Sequence, residues 1–262
     1  MLSYSIGIIG GGNLGRSIAL GLLESRKISP DRIFISRRRL HLIEDLQAHG
    51  IKITSDNREV IREKKVIVLS VEPHQATGVL KEISQDITGE QMIISVVTGL
   101  SIRDIKELTG ERISVFRAMP NTAIAIRQSM TCISTKDTSP ENEDIVFSIF
   151  DQLGKTIKIE EELMNASTVL AACGIAYALR FIRAASQGGI EIGFDAATAQ
   201  LIAAQTVKGA AGLLIEGGKH PEFEIDKVTT PMGCTIAGLN EMEHQGFSSS
   251  LIKGILTSYH KI

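Results

Sequence analysis

The chain has 262 residues, 43% hydrophobic and 22% charged, and its 28 Lys and Arg nearly balance 30 Asp and Glu for a formal net charge of −2. That length suits one large domain or two ordinary ones, and the composition is that of a folded globular protein rather than a disordered chain. The near-neutral balance gives no electrostatic reason to expect nucleic acid or an acidic membrane as the main partner, and no apolar run approaches the ~20 residues that span a bilayer.

The opening MLSYSIGIIGGG lacks a basic leader region, and its glycines interrupt the apolar segment, so a signal peptide is not expected. Cys132, Cys173 and Cys234 are far apart and odd in number, which suggests neither a disulfide framework nor a metal pair and fits a reducing cytoplasm. The histidines are scattered without ligand spacing, and no metal is expected.

From Ser3 to about Lys158, short runs rich in Ile and Val read as strands: SIGIIG, RIFIS, KVIVLSV, MIISVV and ISVFRAM. Between them NLGRSIALGLLES and RLHLIEDLQAHG, the latter ending on a glycine, read as amphipathic helices. Strands alternating with helices predict an α/β class with a Rossmann-like, doubly wound parallel sheet. After about Glu160 the pattern changes, and Glu161 to Gly188, Asp195 to Gly217 and Gly233 onward read as helices rich in Ala, Leu and Ile. The expected organisation is a dinucleotide-binding domain over residues 1–160 and an all-helical substrate and dimerisation domain over 161–262. Ala-rich faces such as AAQTVKGAAGLL allow close helix packing, and so apolar a half implies a homodimer or higher homo-oligomer.

The first strand runs into Gly10-Gly11-Gly12-Asn13-Leu14-Gly15 and then an apolar helix, which is G-x-G-x-x-G in its strand–turn–helix setting. Gly10 permits the tight turn, Gly12 lets a pyrophosphate approach the backbone, and Gly15 lets the helix pack on the strand. The helix start, with Asn13 and Leu14, supplies N–H donors and partial positive charge. A glycine turn with no ligand is the alternative. RIFIS ends at Ser36 and is followed by Arg37, Arg38 and Arg39, with no acidic residue to accept a ribose 2′-OH. Hydroxyl and guanidinium groups suit a 2′-phosphate, so NADP(H) is expected ahead of NAD(H).

Late in the chain, TTPMGCTIAGL (Thr229 to Leu239) gathers small and hydroxylated residues before a predicted helix. On its residues alone it serves equally as a helix cap or an anion site, because both use the same unsatisfied N–H groups.

RAMPNTA, Arg117 to Ala123, follows a strand at the expected sheet edge, and AAQTVKGAAGLLIEGGKHPEFEIDKVTTPMGCTIAGLNEMEHQGF spans Ala203 to Phe247. The second stretch resembles the C-terminal region of pyrroline-5-carboxylate reductases, where a Q-T-V-x-G-A-A helix and an H-P pair precede V-T-S-P-G-G-T-T-I-A-G-L. With IGIIGGGNLGRSIALGLL and LSVEP, the resemblance extends over essentially the whole chain. It implies NAD(P)H-dependent reduction of 1-pyrroline-5-carboxylate to L-proline, the last step of proline biosynthesis. By position it implies cofactor contacts at Ser70, Val71, Glu72, Pro73, Val97 and Thr98, and at Asn57 near the adenosine phosphate. Met119, Pro120 and Asn121 fall at the nicotinamide end, with Asn121 also on the substrate side. Thr230 and Thr235 match hydroxyls used around the substrate carboxylate and are the candidate catalytic residues, beside backbone donors at Gly233 and Cys234. The implied partner is a small imino acid.

The chain departs from the family pattern at several points. Ala172-Cys173-Gly174-Ile175-Ala176-Tyr177 stands for G-S-G-P-A-Y, Ala123 for a proline, Glu72 for the lysine of V-K-P, Met232 for a glycine, and Cys234 for a small residue or threonine. Most of these surround the expected pocket, so the alternatives are a reductase of another cyclic imine or related acid, or a non-catalytic NADP-binding homologue. A β-hydroxyacid dehydrogenase would want a lysine within Glu161 to Gly188, and that segment contains none. With no metal cluster or nucleophile–base arrangement near the late loop, direct hydride transfer to a protonated imine is the expected mechanism. Tyr177 reads as a packing residue and His220 as a cap or turn residue of the H-P segment.

Overall fold

A computed structural model describes residues 4–262; Ser3, where the first domain is expected to begin, lies outside the described residues. Eight strands form one sheet: β1 (Ile6–Ile9), β2 (Ile33–Ser36), β3 (Lys52–Thr54), β4 (Val66–Leu69), β5 (Met92–Ser95), β6 (Ser114–Met119), β7 (Ser129–Thr135) and β8 (Gly154–Lys158). Their order is β3-β2-β1-β4-β5-β6-β7-β8. All pairings are parallel except β6 with β7. Helices α1 (Asn13–Ser25), α2 (Glu44–Gln47), α3 (Asn57–Ile61), α4 (Pro73–Ile83), α5 (Ile102–Thr109) and α6 (Pro140–Asp151) accompany it.

The near-continuous Ile/Val runs arise because both faces of the sheet are covered. Successive side chains alternate between two cores: Ile6 and Ile8, Val66 and Val68, and Met92 and Ile94 join the α1 and α6 side with Ile18, Leu22 and Phe150. Ile9, Ile67, Leu69 and Ile93 join Val60, Leu80 and Ile105 on the side of α3, α4 and α5.

Three differences from the sequence reading have physical causes. RLHLIEDLQAHG is not one helix; a 3₁₀ turn (Leu40–Leu42) precedes α2 because Ile43, at φ −135°, leaves the helical region and buries its side chain completely. β3, β7 and β8 were not anticipated, since β7 carries buried hydroxyls (Ser129, Thr131, Ser134) and β8 is a lysine-bearing edge strand. β6, which carries Arg117 to Met119, therefore lies inside the sheet rather than at its edge.

Beyond the sheet come α7 (Met164–Ser167), a π-helical turn (Thr168–Cys173), α8 (Gly174–Glu191), α9 (Ala196–Gly217), α10 (Pro221–Val228), α11 (Cys234–His244) and α12 (Phe247–Tyr259). The chain divides into two compact units, one reaching Cys173 and the other Gly174–Lys261. Composition changes near residue 160 but contacts change later, because Met164 and Val169 are buried within the first unit.

Within the second unit α8 and α9 pack closely, Gly189 lying against Ala199 so that even a Cβ there would be tight at 3.0 Å. Asp195 caps α9 by accepting from the Ala197 and Thr198 amides, and Gly218 ends it in the left-handed region. His220 caps α10, accepting from the Glu222 amide at 3.3 Å. The Tyr177 hydroxyl hydrogen-bonds the Ser258 hydroxyl at 2.7 Å. Residues 161–191 form a 31-residue helical run of mean hydropathy 1.4 in its most apolar window, long and apolar enough by length and composition to cross a membrane. The sequence pattern did not display this, because Arg180 and Arg183 and small polar residues interrupt any apolar run.

Candidate functional site

In the order β3-β2-β1-β4-β5-β6 the strand sequence reverses between β1 and β4, and the crevice beyond the C-terminal ends of these strands is where α/β sheets bind nucleotides. β1 ends in the turn that starts α1. Gly10 adopts φ +103°, and a Cβ there would overlap the Ser70 carbonyl oxygen. A Cβ on Gly15 would overlap the Gly10 carbonyl oxygen, so α1 rests directly on the turn. The turn is pinned from both sides, with Gly11 N donating to Ser36 O at 2.7 Å and Ser70 N to Ile9 O at 2.8 Å.

Gly12 is the N-cap of α1 and offers no side-chain cap, and the first turn has no acidic residue. A Cβ on Gly12 would meet nothing within 4 Å. The N–H groups of this helix start are therefore presented to open space by a backbone that a phosphate can approach, and these residues fit a dinucleotide pyrophosphate. Arg16, one turn into α1, is held away in a bidentate pair with Asp45.

At the end of β2 the Ser36 side chain is buried and donates to Asn57 Oδ1 at 2.7 Å. Arg37 Nη1 donates to the Gly11 carbonyl at 2.7 Å, which braces the glycine turn. Arg38 and Arg39 are exposed, and Arg37 keeps four further guanidinium N–H donors beyond its bond to Gly11. Glu72 and Pro73 begin α4, with Pro73 at the first turn and Ser70 and Val71 half-buried before it. Val97 is buried in the core, leaving only its backbone for a ligand. Thr98 rims a cavity of about 390 Å³ together with Pro73, Thr77, Gly99 and Asp104.

Met119 and Pro120 are buried at the end of β6. Asn121 is heavily committed: its Oδ1 accepts from Ala123 N at 3.0 Å, and its Nδ2 donates to Ala171 O in the π turn at 3.1 Å. That makes it an anchor for the loop and the π turn, with one Nδ2 hydrogen left over.

Sequence reasoning missed an arginine–glutamate link. Arg117 is 5% exposed, and its Nη1 donates to Glu161 Oε1 at 3.2 Å. The same oxygen accepts from the Ile102 amide at 2.8 Å, so Glu161 ties a buried cation to the start of α5, directly after the Val97–Ser101 loop. An arginine in the middle of the apolar run ISVFRAM was the available signal, because a buried charge requires a partner. At the same helix start Ser101 and Asp104 form a capping box. Hydrogen bonds from the Ser101 side chain and backbone, followed by the field of Arg103 and Arg117, hold the Asp104 carboxyl below its ordinary pKa.

In the second unit the late loop is a tight turn between α10 and α11. Gly233 N donates to Thr230 O at 2.9 Å, Pro231 occupies the second position, and Met232 takes φ +59° with its side chain fully exposed. Glycine is the ordinary residue for that conformation; methionine there costs about 1 kcal/mol. Gly233 is the N-cap of α11, with no side-chain cap and no acidic residue in the first turn. Thr230 Oγ1 lies so close to Gly233 that a Cβ there would meet it at 2.5 Å. The structure thus gathers Thr230, Gly233, Cys234 and Thr235 at one uncapped helix start, with Thr235 half-buried and Cys234 and Thr230 exposed.

Both parts of the chain match known protein families. Residues 5–99 match the family described as NADP oxidoreductase, coenzyme F420-dependent, and residues 161–262 match the pyrroline-5-carboxylate reductase dimerisation family. The chain is 43% identical to pyrroline-5-carboxylate reductase 2 of Dictyostelium discoideum, over 98% of its own length and 91% of that protein. The chain belongs to the pyrroline-5-carboxylate reductase family. It is also 47% identical to pyrroline-5-carboxylate reductase 1 of the same organism, over 98% of its length, and spans about half (49%) of that longer relative. The Plasmodium falciparum pyrroline carboxylate reductase, whose crystal structure has NADP bound, shares the fold at a TM-score of 0.91 and 24% identity, covering 100% of this chain and 97% of that one. NADP is the cofactor of this oxidoreductase family. The apolar helical part of the chain is the region that matches the family's dimerisation model.

Proposed function

We propose that this chain reduces 1-pyrroline-5-carboxylate to L-proline, with the late helix start gripping the substrate. The observation that carries the reading is the uncapped start of α11, where the Thr230 hydroxyl lies close to the Gly233 N-cap and Thr235 falls in the first helical turn. A carboxylate is held well by such donors, because the helix end is already partly positive and its N–H groups lack partners. When bound, the reduced nicotinamide supplies a hydride to the C=N carbon. The protein's part is placement: the α1 start holds the pyrophosphate, Arg38 and Arg39 attract the adenosine end, and the α11 start orients the acid group. An imine that arrives protonated becomes the secondary amine of proline on accepting the hydride, so no side chain has to form a covalent bond. Thr235 orients the substrate at its carboxylate or nitrogen.

The finer assignments belong to the same proposal. The functional division falls near residue 160, where the dimerisation match begins, ahead of the break between compact units at Cys173; the working unit is a homodimer or larger homo-oligomer built through the helices after that point; the setting is the cytoplasm; and the partner is a small imino acid. The exposed Leu201, Leu213 and Ile215 of α9 support the oligomer.

The test is oxidation of NADPH in the presence of pyrroline-5-carboxylate, with proline identified as the product. Turnover only on other cyclic imines would shift the substrate, and NADPH binding without any turnover would overturn the enzymatic reading. Thr235→Ala is expected to lower kcat by about tenfold, the loss of one hydrogen bond to a charged group, with NADPH affinity within about twofold of wild type. Unchanged turnover would remove Thr235 from the site.

A further inference from the structure

Resting on the nucleotide site of the proposed reductase, we propose that Glu82 determines how strongly the adenosine end distinguishes a ribose 2′-phosphate from a 2′-hydroxyl. Crevices of this architecture that take the unphosphorylated ribose place a carboxylate at the end of the second strand. Here β2 ends in Ser36, yet a carboxylate reaches the same place from another element. Glu82, near the end of α4, accepts from Asn57 Nδ2 at 3.1 Å, and Asn57 Oδ1 accepts from the Ser36 hydroxyl at 2.7 Å.

The direction of this chain is dictated by chemistry. An ionised carboxylate can only accept, so the amide nitrogen must face Glu82. The amide oxygen then faces Ser36, whose single hydroxyl proton is consumed. Two consequences follow for a nucleotide. Ser36, 1% exposed and with its proton spent, gives nothing to a phosphate, which itself only accepts. Glu82 is exposed and negative two hydrogen bonds from the end of β2, where it accepts from a hydroxyl and repels a dianion.

The neighbouring charges leave that carboxylate standing. Arg58, on the adjoining α3, pairs with Asp86 at 3.4 Å, and Arg37 is turned to the Gly11 carbonyl. Arg38 and Arg39, exposed just after β2, supply the attraction for a 2′-phosphate. The site thus holds a cationic stretch opposed by one carboxylate, and Glu82 sets the balance between phosphorylated and unphosphorylated dinucleotides.

Calorimetric titration of the full chain with adenosine 2′,5′-bisphosphate and with ADP reads this balance without any turnover. Glu82→Gln removes the charge while keeping an acceptor for Asn57, and Glu82→Ala removes both; the position is exposed on a helix, where either residue is tolerated. Both variants are expected to raise the affinity for the bisphosphate about fivefold relative to ADP, and the gain should shrink at high salt. An unchanged ratio in both variants, with both nucleotides bound, overturns the role of Glu82 and leaves the reductase reading intact. Failure of wild type to bind either nucleotide overturns the nucleotide site and this proposal together, whereas failure to reduce the imine bears only on the reductase reading.

Discussion

The sheet unit and the helical unit are built from similarly apolar sequence but bury it in different ways. In the first, strand residues alternate between two closed cores, and Ile6, Ile8, Ile33, Val66 and Ile93 are wholly inaccessible. In the second, among the described residues only Ala199 and Ala203 are buried, while Leu201 is 70% exposed and Ile192 78%. A parallel sheet closes its own core because helices cross over both faces. Long helices paired along one stripe leave the others bare, which is the surface the proposed oligomer would cover. The two halves also share one local feature: α1 and α11 both begin at a glycine N-cap with no side-chain cap and no acidic first turn.

The largest expected effect tests the closed half. Gly10→Ala adds a Cβ onto the Ser70 carbonyl at a left-handed φ, and should cost about 3 kcal/mol of stability, read from denaturant midpoints. A midpoint equal to wild type would mean that the turn is looser than its contacts imply. Next comes the open half. Leu201→Asp should weaken self-association by about 2–4 kcal/mol, as loss of a central interface residue does, and light scattering should show a smaller species. The same change at Ile126 of the sheet unit, exposed to nearly the same degree at 69%, should leave the mass unchanged. Equal behaviour of the two variants would erase the contrast between the halves.

The smallest effect concerns pH. The folded pKa of Asp104 is held below its ordinary 3.8, first by the Ser101 side chain. A depressed folded value means that the cap contributes fully above the unfolded pKa and is lost as pH falls from there through the folded value. The melting difference between wild type and Asp104→Ala should therefore be constant near neutrality and shrink below about pH 4. A difference that persists in acid would show that the charged cap is not its source.

Legibility followed the range of the interactions involved. The glycine fingerprint, the alternating strand–helix pattern and the H-P cap at His220 depend on residues close in sequence, and all were readable before the structure. So was the cluster of Thr230, Gly233, Cys234 and Thr235, since one tight turn and one helix start bring it together. β7 and β8 escaped because their polar and lysine-rich residues lack the apolar signature, and that moved β6 from the edge of the sheet to its interior. The bonds of Asn121 to Ala123 and Ala171 were not legible either, the latter partner being 50 residues away.

The amino-acid order alone determined the class of fold, the nucleotide turn and the family, because each rests on local backbone geometry and short motifs. Only the tertiary structure decided which side chains remain free to act. It buried Ser36, turned Arg37 onto the turn, joined Arg117 to Glu161 and brought Glu82 to Asn57. Those pairings are made between elements 21 to 44 residues apart apart from any repeating pattern, so their partners become visible only once the sheet is assembled.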